Sequence, residues 1–482
     1  MDLINNIKNK INIKESLIEL KSLTDEYDFE SNQDLKDMLI DLLNNEDPKI
    51  RKNCALLLGQ YKDTGVLLIE AYQKETTDYV KEAYLKGLSH QDCRMHIETL
   101  QHIQEELMKA NGIDIKHIQA QLKILNPLIL KNQVHKKKVL KLKHEEVDVV
   151  LTSLPYYQFV LFEKVLHLKY KPIKQGVLVR TNSVYDLLNI RSYKDMLIPL
   201  ANASSMAMNE EAIVNGLRKC NIIEILDKLY DNHSITYFRM VDGLREKDTQ
   251  LIKKVSQKLF ELYPQRLLNT TDEYEIEVVL KEVIRGKVNA YIRLAHLKNN
   301  RFVYRKDTIA TSMQGYVAAT LNQLAKPYMI DDAKVLDPFV GTGTLLIERN
   351  ILKPTHFAMG IDIFGKGIES ARKNTKAAGQ TIYYVNKDAL RFVNNEMFDE
   401  IITDMPTFAQ MNDREALENL YDKFFARIPK LVRPEGYVFL YTSEISLVRK
   451  NLRLQEGYLA LEEHYEIPRG KNMFYFFIIK VR

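Results

Sequence analysis

The sequence predicts a multidomain α and α/β protein: an N-terminal α-solenoid, an α+β middle, and a C-terminal α/β unit on a mostly parallel sheet. Three observations carry this. A chain of 482 residues is too long for one ordinary core. Apolar residues recur at helical spacing from Ile50 and again from Val80, and near the C-terminus four successive apolar runs each end in an aspartate.

In Asp47–Gln60, Ile50, Cys54, Leu57 and Leu58 fall on one helical face, with Gly59 where a helix would stop. The segment DYVKEAYLKGLS repeats the pattern, setting Val80 over Ile50, Lys81 over Arg51, Tyr84 over Cys54 and Leu88 over Leu58. This resembles a HEAT repeat, including its Asp-Pro-x-Ile-Arg start, on a shorter period. Stacked helix pairs present surfaces to partners. Residues 1–128 are therefore expected to form a HEAT-like helical domain that offers a surface to a protein partner; the alternative is a helical bundle packed on the rest.

Net charge is +5, and its distribution is uneven. Between Lys131 and Arg180 there are 11 Lys and Arg against 4 Asp and Glu, a local +7, so the remainder sums to 5 − 7 = −2. The run HKKKVLKLKH (His135 to His144) is densest. Clustered basic residues are the footprint of phosphate-backbone binding, with a solvated linker as the other reading.

The middle alternates strands and helices. Strand-like VDVVLTSL and GVLVRT precede helical stretches ending in IIEILDKLY. Then ITYFRMV reads as a strand, DTQLIKKVSQKLFELYP as an amphipathic helix, and EIEVVLKEVI with KVNAYIRLAH as a strand pair. Arg239, Lys253, Lys254 and Lys258 are candidates for phosphate contact.

The most telling segment follows the apolar run AKVL. There DPFVGTGT, Asp337 to Thr344, breaks a strand into a glycine turn before a helix, so Gly341 and Gly343 let a ligand approach backbone. A dinucleotide fingerprint wants a third glycine where Leu346 stands, which weakens a nicotinamide reading. The next strand, FAMGIDI, ends at Asp362, roughly the 20 residues downstream at which a ribose-binding acid is expected. IYYVNKD ends at Asp388 and EIITD at Asp404. Four acids thus reach the C-terminal edge of one parallel sheet, where open α/β folds bind ligands.

From about Arg301 to Arg482 the chain resembles class I S-adenosylmethionine-dependent methyltransferases, specifically the RNA-methylating branch carrying a THUMP domain. The motifs are TSMQGYVAATLNQLA, VLDPFVGTGTLLIE, GIDIFGKGIESARKN, NKDAL and TDMPTF. The resemblance implies a Rossmann-like domain over 306–482 with a seven-stranded sheet, whose fifth strand is GYVFLYTS and whose closing antiparallel pair is LEEHYEI with MFYFFIIKV. It implies a THUMP-like RNA-binding domain over 233–305 and a ferredoxin-like domain over 140–232. It assigns the methionine end of the cofactor to Gly341 and Gly343 with Asp337, Phe339, Thr342 and Thr344 around them, the ribose to Asp362 with Ile363, and adenine to Asp388 with Ala389.

In that family the fourth strand ends in Asp or Asn, then Pro-Pro and an aromatic residue. Here it is Asp404, Met405, Pro406, Thr407, Phe408, so the site assignments are Asp404 as amine acceptor, the Met405 carbonyl, Pro406, and Phe408 as a displaced ring. Thr407 leaves no ring at the usual position. Asp404 has a second reading as N-cap of the following helix, and Asp337 as a brace for the turn.

The resemblance implies an S-adenosylmethionine-dependent RNA methyltransferase acting on a guanine N2 amine in tRNA. The alternatives are a cofactor-binding but non-catalytic RNA-binding scaffold, and an enzyme acting on rRNA or DNA. No metal is called for, since methyl transfer from a sulfonium rests on alignment. No apolar run approaches a membrane span. The N-terminus lacks a signal-peptide stretch, and Cys54, Cys93 and Cys220 have no metal-ligand spacing, so a cytoplasmic home is expected.

Overall fold

The computed structural model describes residues 2–24, 27–109, 115–132, 145–230, 235–264, 266–271, 273–297, 299–470 and 472–482. The basic run His135–His144 lies outside the described residues. Two compact units emerge, one from residues up to 141 with 200–290 and 294–296, the other from 142–199, 291–293 and 297–482.

In the first unit the expected helices run Pro48–Leu58 and Asp78–Leu88. The Asp47 side chain accepts from the Lys49 amide and Pro48 fills the first turn, so neither residue wastes a donor there. Ile50, Cys54, Leu57, Leu58, Val80, Tyr84 and Leu88 all join one buried cluster. Arg51 donates from two nitrogens to the Glu75 carboxylate, both at 2.8 Å. Burial alone would raise the Glu75 carboxyl, but Arg51 and the Thr76 and Thr77 amides outweigh it and hold it low.

Further along the same unit, strand Thr236–Gly243 pairs in parallel with Leu267–Asn269 and Ile276–Ile284. Helix Thr249–Leu262, capped by Asp248, makes the crossover that parallel pairing requires. Three of the candidate phosphate contacts have acidic neighbours instead: Arg239 pairs with Glu277 and lies 4.2 Å over Tyr274, Lys254 is 3.8 Å from Glu210, and Lys258 is 2.8 Å from Glu261.

The second unit begins with an antiparallel set in which Gly176–Thr181 pairs with Lys169–Ile173 and Val147–Thr152, the latter also pairing with Met196–Pro199. Helix α1 (Gly315–Ala325) then leads into β1 (Lys334–Asp337), α2 (Thr344–Leu352), β2 (Phe357–Asp362), α3 (Gly365–Ala377), β3 (Tyr383–Asn386) and β4 (Phe398–Asp404). After these come α4 (Phe408–Met411), α5 (Arg414–Leu431), β5 (Val432–Thr442), α6 (Ile445–Leu454), β6 (Leu459–Arg469) and β7 (Asn472–Val481). The sheet order is β3-β2-β1-β4-β5-β7-β6. β3 to β5 run parallel and β7 pairs antiparallel with both β5 and β6, so the sheet is mixed. Strand order reverses between β1 and β4, which opens the crevice where such sheets bind ligands.

Two adjacent residues of α2 lock this crevice in place. Arg349 reaches β4, donating to both Glu400 oxygens at 2.8 and 3.0 Å with both side chains fully buried. Glu348 accepts two bonds from Arg191 at 2.7 and 2.6 Å and one from the Tyr304 hydroxyl at 2.8 Å. Among the described residues no helix is long and apolar enough to cross a membrane, and no acidic, histidine or cysteine cluster could hold a metal.

Glu400→Ala leaves the Arg349 guanidinium buried without its partner, and is expected to cost about 3–5 kcal/mol in a urea titration. Lys334→Ala, which breaks an ion pair with exposed Glu396, should barely move the transition. Equal effects of the two substitutions would show that burial does not set the worth of the Arg349–Glu400 pair.

Candidate functional site

The site is built where β1 to β4 end. Asp337 closes β1, buried, with one carboxylate oxygen accepting from the Phe339 amide at 3.1 Å and the Thr403 hydroxyl at 2.8 Å. It therefore braces the turn and ties β1 to β4. The chain then reverses through Gly341 at φ 52° and Gly343 at φ 82°, a region L side chains rarely occupy. A Cβ on Gly343 would stand 2.8 Å from the Tyr384 hydroxyl, whereas one on Gly341 would meet nothing within 4 Å. Gly341 is thus open toward the crevice.

The second acid is fixed by the first turn. Asp362 accepts from the Gly341 amide and the Phe364 amide, each at 2.8 Å. Asp388 follows β3, its carboxylate capping the short turn that begins at Ala389 by accepting from the Leu390 amide at 2.8 Å. Asp404 ends β4 in register with Tyr441 of β5.

These four acids line one cavity of about 630 Å³. Burial pushes the Asp337 carboxyl up to about 8, with Asp362 and Asp404 adding to the rise against the pull of its two hydrogen bonds. Burial likewise pushes Asp404 up to about 7, opposed by the positive charge of Arg469. A cavity that raises its own acids this way favours a cationic occupant, because the cation offsets the cost of ionising them.

The segment after β4 is pinned at several backbone groups. The Met405 amide donates to the Tyr441 carbonyl at 2.9 Å, and the Pro406 carbonyl accepts from the Tyr421 hydroxyl at 3.0 Å. Thr407 forms a capping box with Gln410, its amide donating to the Gln410 side chain at 2.8 Å. The Phe408 amide donates to Glu444 at 3.0 Å, and Glu444 is held by Arg414 at 3.1 Å. The N-cap of α4 is therefore Thr407 and not Asp404, whose carboxylate faces the cavity. Thr407 occupies its position because a hydroxyl can cap a helix and an aromatic ring cannot.

Of the residues singled out in the sequence, the structure gathers the four acids, Phe339, Gly341, Thr342 and Thr344, together with Ile363, Ala389 and Pro406, on the cavity wall. Gly343 sits behind the wall, shaping the turn. The Met405 side chain is fully buried in the core beneath, and Phe408 is 44 % exposed and off the wall. Besides single neighbours of the assigned residues and Gln410 with Met411 on α4, two stretches of lining were not assigned from the sequence: the first comprises Ile309 and Thr311–Met313, and the second the start of α5 at Ala416, Asn419 and Leu420. The first lies directly before the GYVAAT helix, a signal that was present; the second comes from packing and left no local trace.

Comparison with known proteins bears on this geometry. Residues 303–466 match the family described as RMKL-like, methyltransferase domain. The chain is 23% identical over 267 residues to the tRNA (guanine(10)-N2)-dimethyltransferase of Methanocaldococcus jannaschii, covering 47% of this chain and 72% of that one. It is 30% identical over 156 residues to the tRNA (guanine(6)-N2)-methyltransferase of Thermus thermophilus, covering 31% of this chain and 45%, under half, of the relative. The crystal structure of TrmN from Thermus thermophilus superposes with a TM-score of 0.53 at 18% identity, over 70% of this chain and all of that one. That likeness speaks to the fold. Taken with a glycine turn opened toward a cavity ringed by acids, the match of residues 303–466 to that methyltransferase-domain model supports S-adenosylmethionine-dependent methyl transfer by the C-terminal part of the chain.

Proposed function

We propose that this protein methylates the exocyclic N2 amine of a guanosine in tRNA, using S-adenosylmethionine. The observation that carries the reading is the convergence of four strand-end carboxylates on one cavity, with Asp404 held by no hydrogen bond from a described residue. An acid left unsatisfied at a cavity wall is available to a ligand.

In this reading Asp362 takes the ribose hydroxyls, Ile363 packs beside them, and Asp388 with Ala389 meets the adenine. Phe339, Gly341, Thr342 and Thr344 surround the methionine end, with Gly343 shaping the turn and Asp337 supplying negative charge. The cofactor, when bound, supplies an electrophilic methyl group on a positively charged sulfur. Asp404 accepts a hydrogen bond from the target amine and takes up the proton the amine loses. The Met405 carbonyl accepts the second amine hydrogen, and the pinned backbone of Pro406, Thr407 and Phe408 keeps both acceptors aligned at no further ordering cost.

The remaining parts fit as auxiliaries. Residues 1–128 are proposed as a HEAT-like surface for a protein partner, 140–232 as a ferredoxin-like domain, and 233–305 as a THUMP-like domain that grips the RNA. The helix pairs and the strand-helix-strand order support these assignments. Three unpaired cysteines, two of them buried, suit the reducing cytoplasm in which we place the protein.

Calorimetric titration with S-adenosylmethionine, followed by transfer of labelled methyl to bulk tRNA, tests the proposal directly. Binding without transfer to any nucleic acid would leave a scaffold in its place. Asp404→Ala is expected to lower transfer by about 100- to 10,000-fold with cofactor affinity nearly intact; parallel loss of both would remove Asp404 from the chemistry. Because the acceptor form of Asp404 is its carboxylate, present in the free protein above its raised value of about 7, kcat/KM for the cofactor should climb from pH 6 to pH 8. A flat profile over that interval counts against the proton-accepting role. Cofactor binding near pH 7 should also release protons, read as a dependence of binding heat on buffer ionisation enthalpy, since a cation draws Asp337 and Asp404 toward their charged forms.

A further inference from the structure

Beside Asp404, on the side away from the glycine turn, stands a group that the assignments above do not use. Tyr441, the register partner of Asp404, is fully buried, with the Arg469 side chain as its hydroxyl's polar neighbour. Its ring stacks on Phe474 of β7, with centroids 5.1 Å apart and planes at 17°. Over Phe474, at 5.4 Å, lies the guanidinium of Arg469, the last residue of β6. Arg469 makes no ion pair among the described residues and is exposed. It is near enough to oppose the upward push that burial gives both the Asp404 carboxyl and the Tyr441 phenol. Phe408, like Arg469, is exposed and not among the residues lining the cavity, and Thr407 is committed to capping.

We propose that Arg469, steadied on the Phe474–Tyr441 stack, is a specificity residue that binds the carbonyl edge of the target guanine while Asp404 holds its amine. The inference rests on the guanine reading above. Guanine presents its amine and its carbonyl at separate points, so a cation near an acid matches guanine and disfavours adenine, which carries an amine donor where guanine has its carbonyl oxygen. Arginine suits this because its planar fork donates two bonds at once and stacks on a ring.

The test uses the full-length chain and tRNA transcripts. The methylated guanosine is located by mass spectrometry, then replaced by 2-aminopurine, which keeps the exocyclic amine and lacks the carbonyl oxygen. Unmodified protein should prefer guanine by about 10- to 100-fold in kcat/KM. In Arg469→Met and Arg469→Lys the preference should collapse toward unity through loss of activity on guanine, with cofactor affinity by calorimetry and circular dichroism unchanged. Lys keeps the charge and loses the fork, so a preference retained in Arg469→Lys overturns the bidentate contact. Equal loss on both transcripts would make Arg469 a phosphate contact, and an unchanged ratio in Arg469→Met would remove it from recognition. Failure of the unmodified protein to methylate any tRNA would overturn the guanine reading itself, an outcome visible before any variant is made.

Discussion

The buried pair between Arg349 and Glu400 fixes the distance between the helix that follows the glycine turn and the strand that ends in Asp404. Ionised groups this deep cost more to desolvate than they return in attraction unless every hydrogen is placed. Here the placement is thorough: Arg349 also donates to the Lys353 carbonyl at 2.5 Å, and Glu400 accepts from the Ile330 amide at 2.5 Å. A pair of this kind tolerates one geometry, so α2 and β4 cannot slide past each other. The cavity between the turn and Asp404 inherits that rigidity.

The neighbouring Glu348 extends the same logic outward. Arg191 and Tyr304 bind its carboxylate, while Arg301 lies 3.4 Å over the Tyr193 ring and donates to the Ile190 and Tyr193 carbonyls at 3.1 and 2.7 Å. Within this unit, then, the segment joining the antiparallel strands of residues 147–199 is bonded to the helix that begins at the glycine turn. Consecutive residues of α2 face opposite neighbours because successive helical side chains point about a quarter-turn or more apart.

The local chemistry of the site is one of paired economies. Burial raises both the Asp337 and the Asp404 carboxyl, and the cavity is thereby poised for a positively charged occupant. The segment from Met405 to Phe408 carries no ring at Thr407, and the structure gives the physical reason: its hydroxyl closes a capping box that stiffens the loop after β4. On the adjoining hairpin Phe474 stacks on Tyr441 and carries the Arg469 guanidinium over its ring.

Much of this was legible before folding. Alternating apolar runs ending in Asp337, Asp362, Asp388 and Asp404 determined a parallel sheet with acids at one edge, because strand periodicity and helix punctuation are local properties of sequence. Gly341 and Gly343 marked their turn for the same reason: only glycine takes those dihedral angles cheaply. Tertiary structure alone decided that Thr407 and not Asp404 caps a helix, that α5 lines the cavity, that Arg349 finds Glu400, and that Arg469 comes to rest beside Tyr441. Each of those facts depends on residues distant in the chain meeting in space, and such meetings are set by packing against the whole sheet, which no short window of sequence encodes.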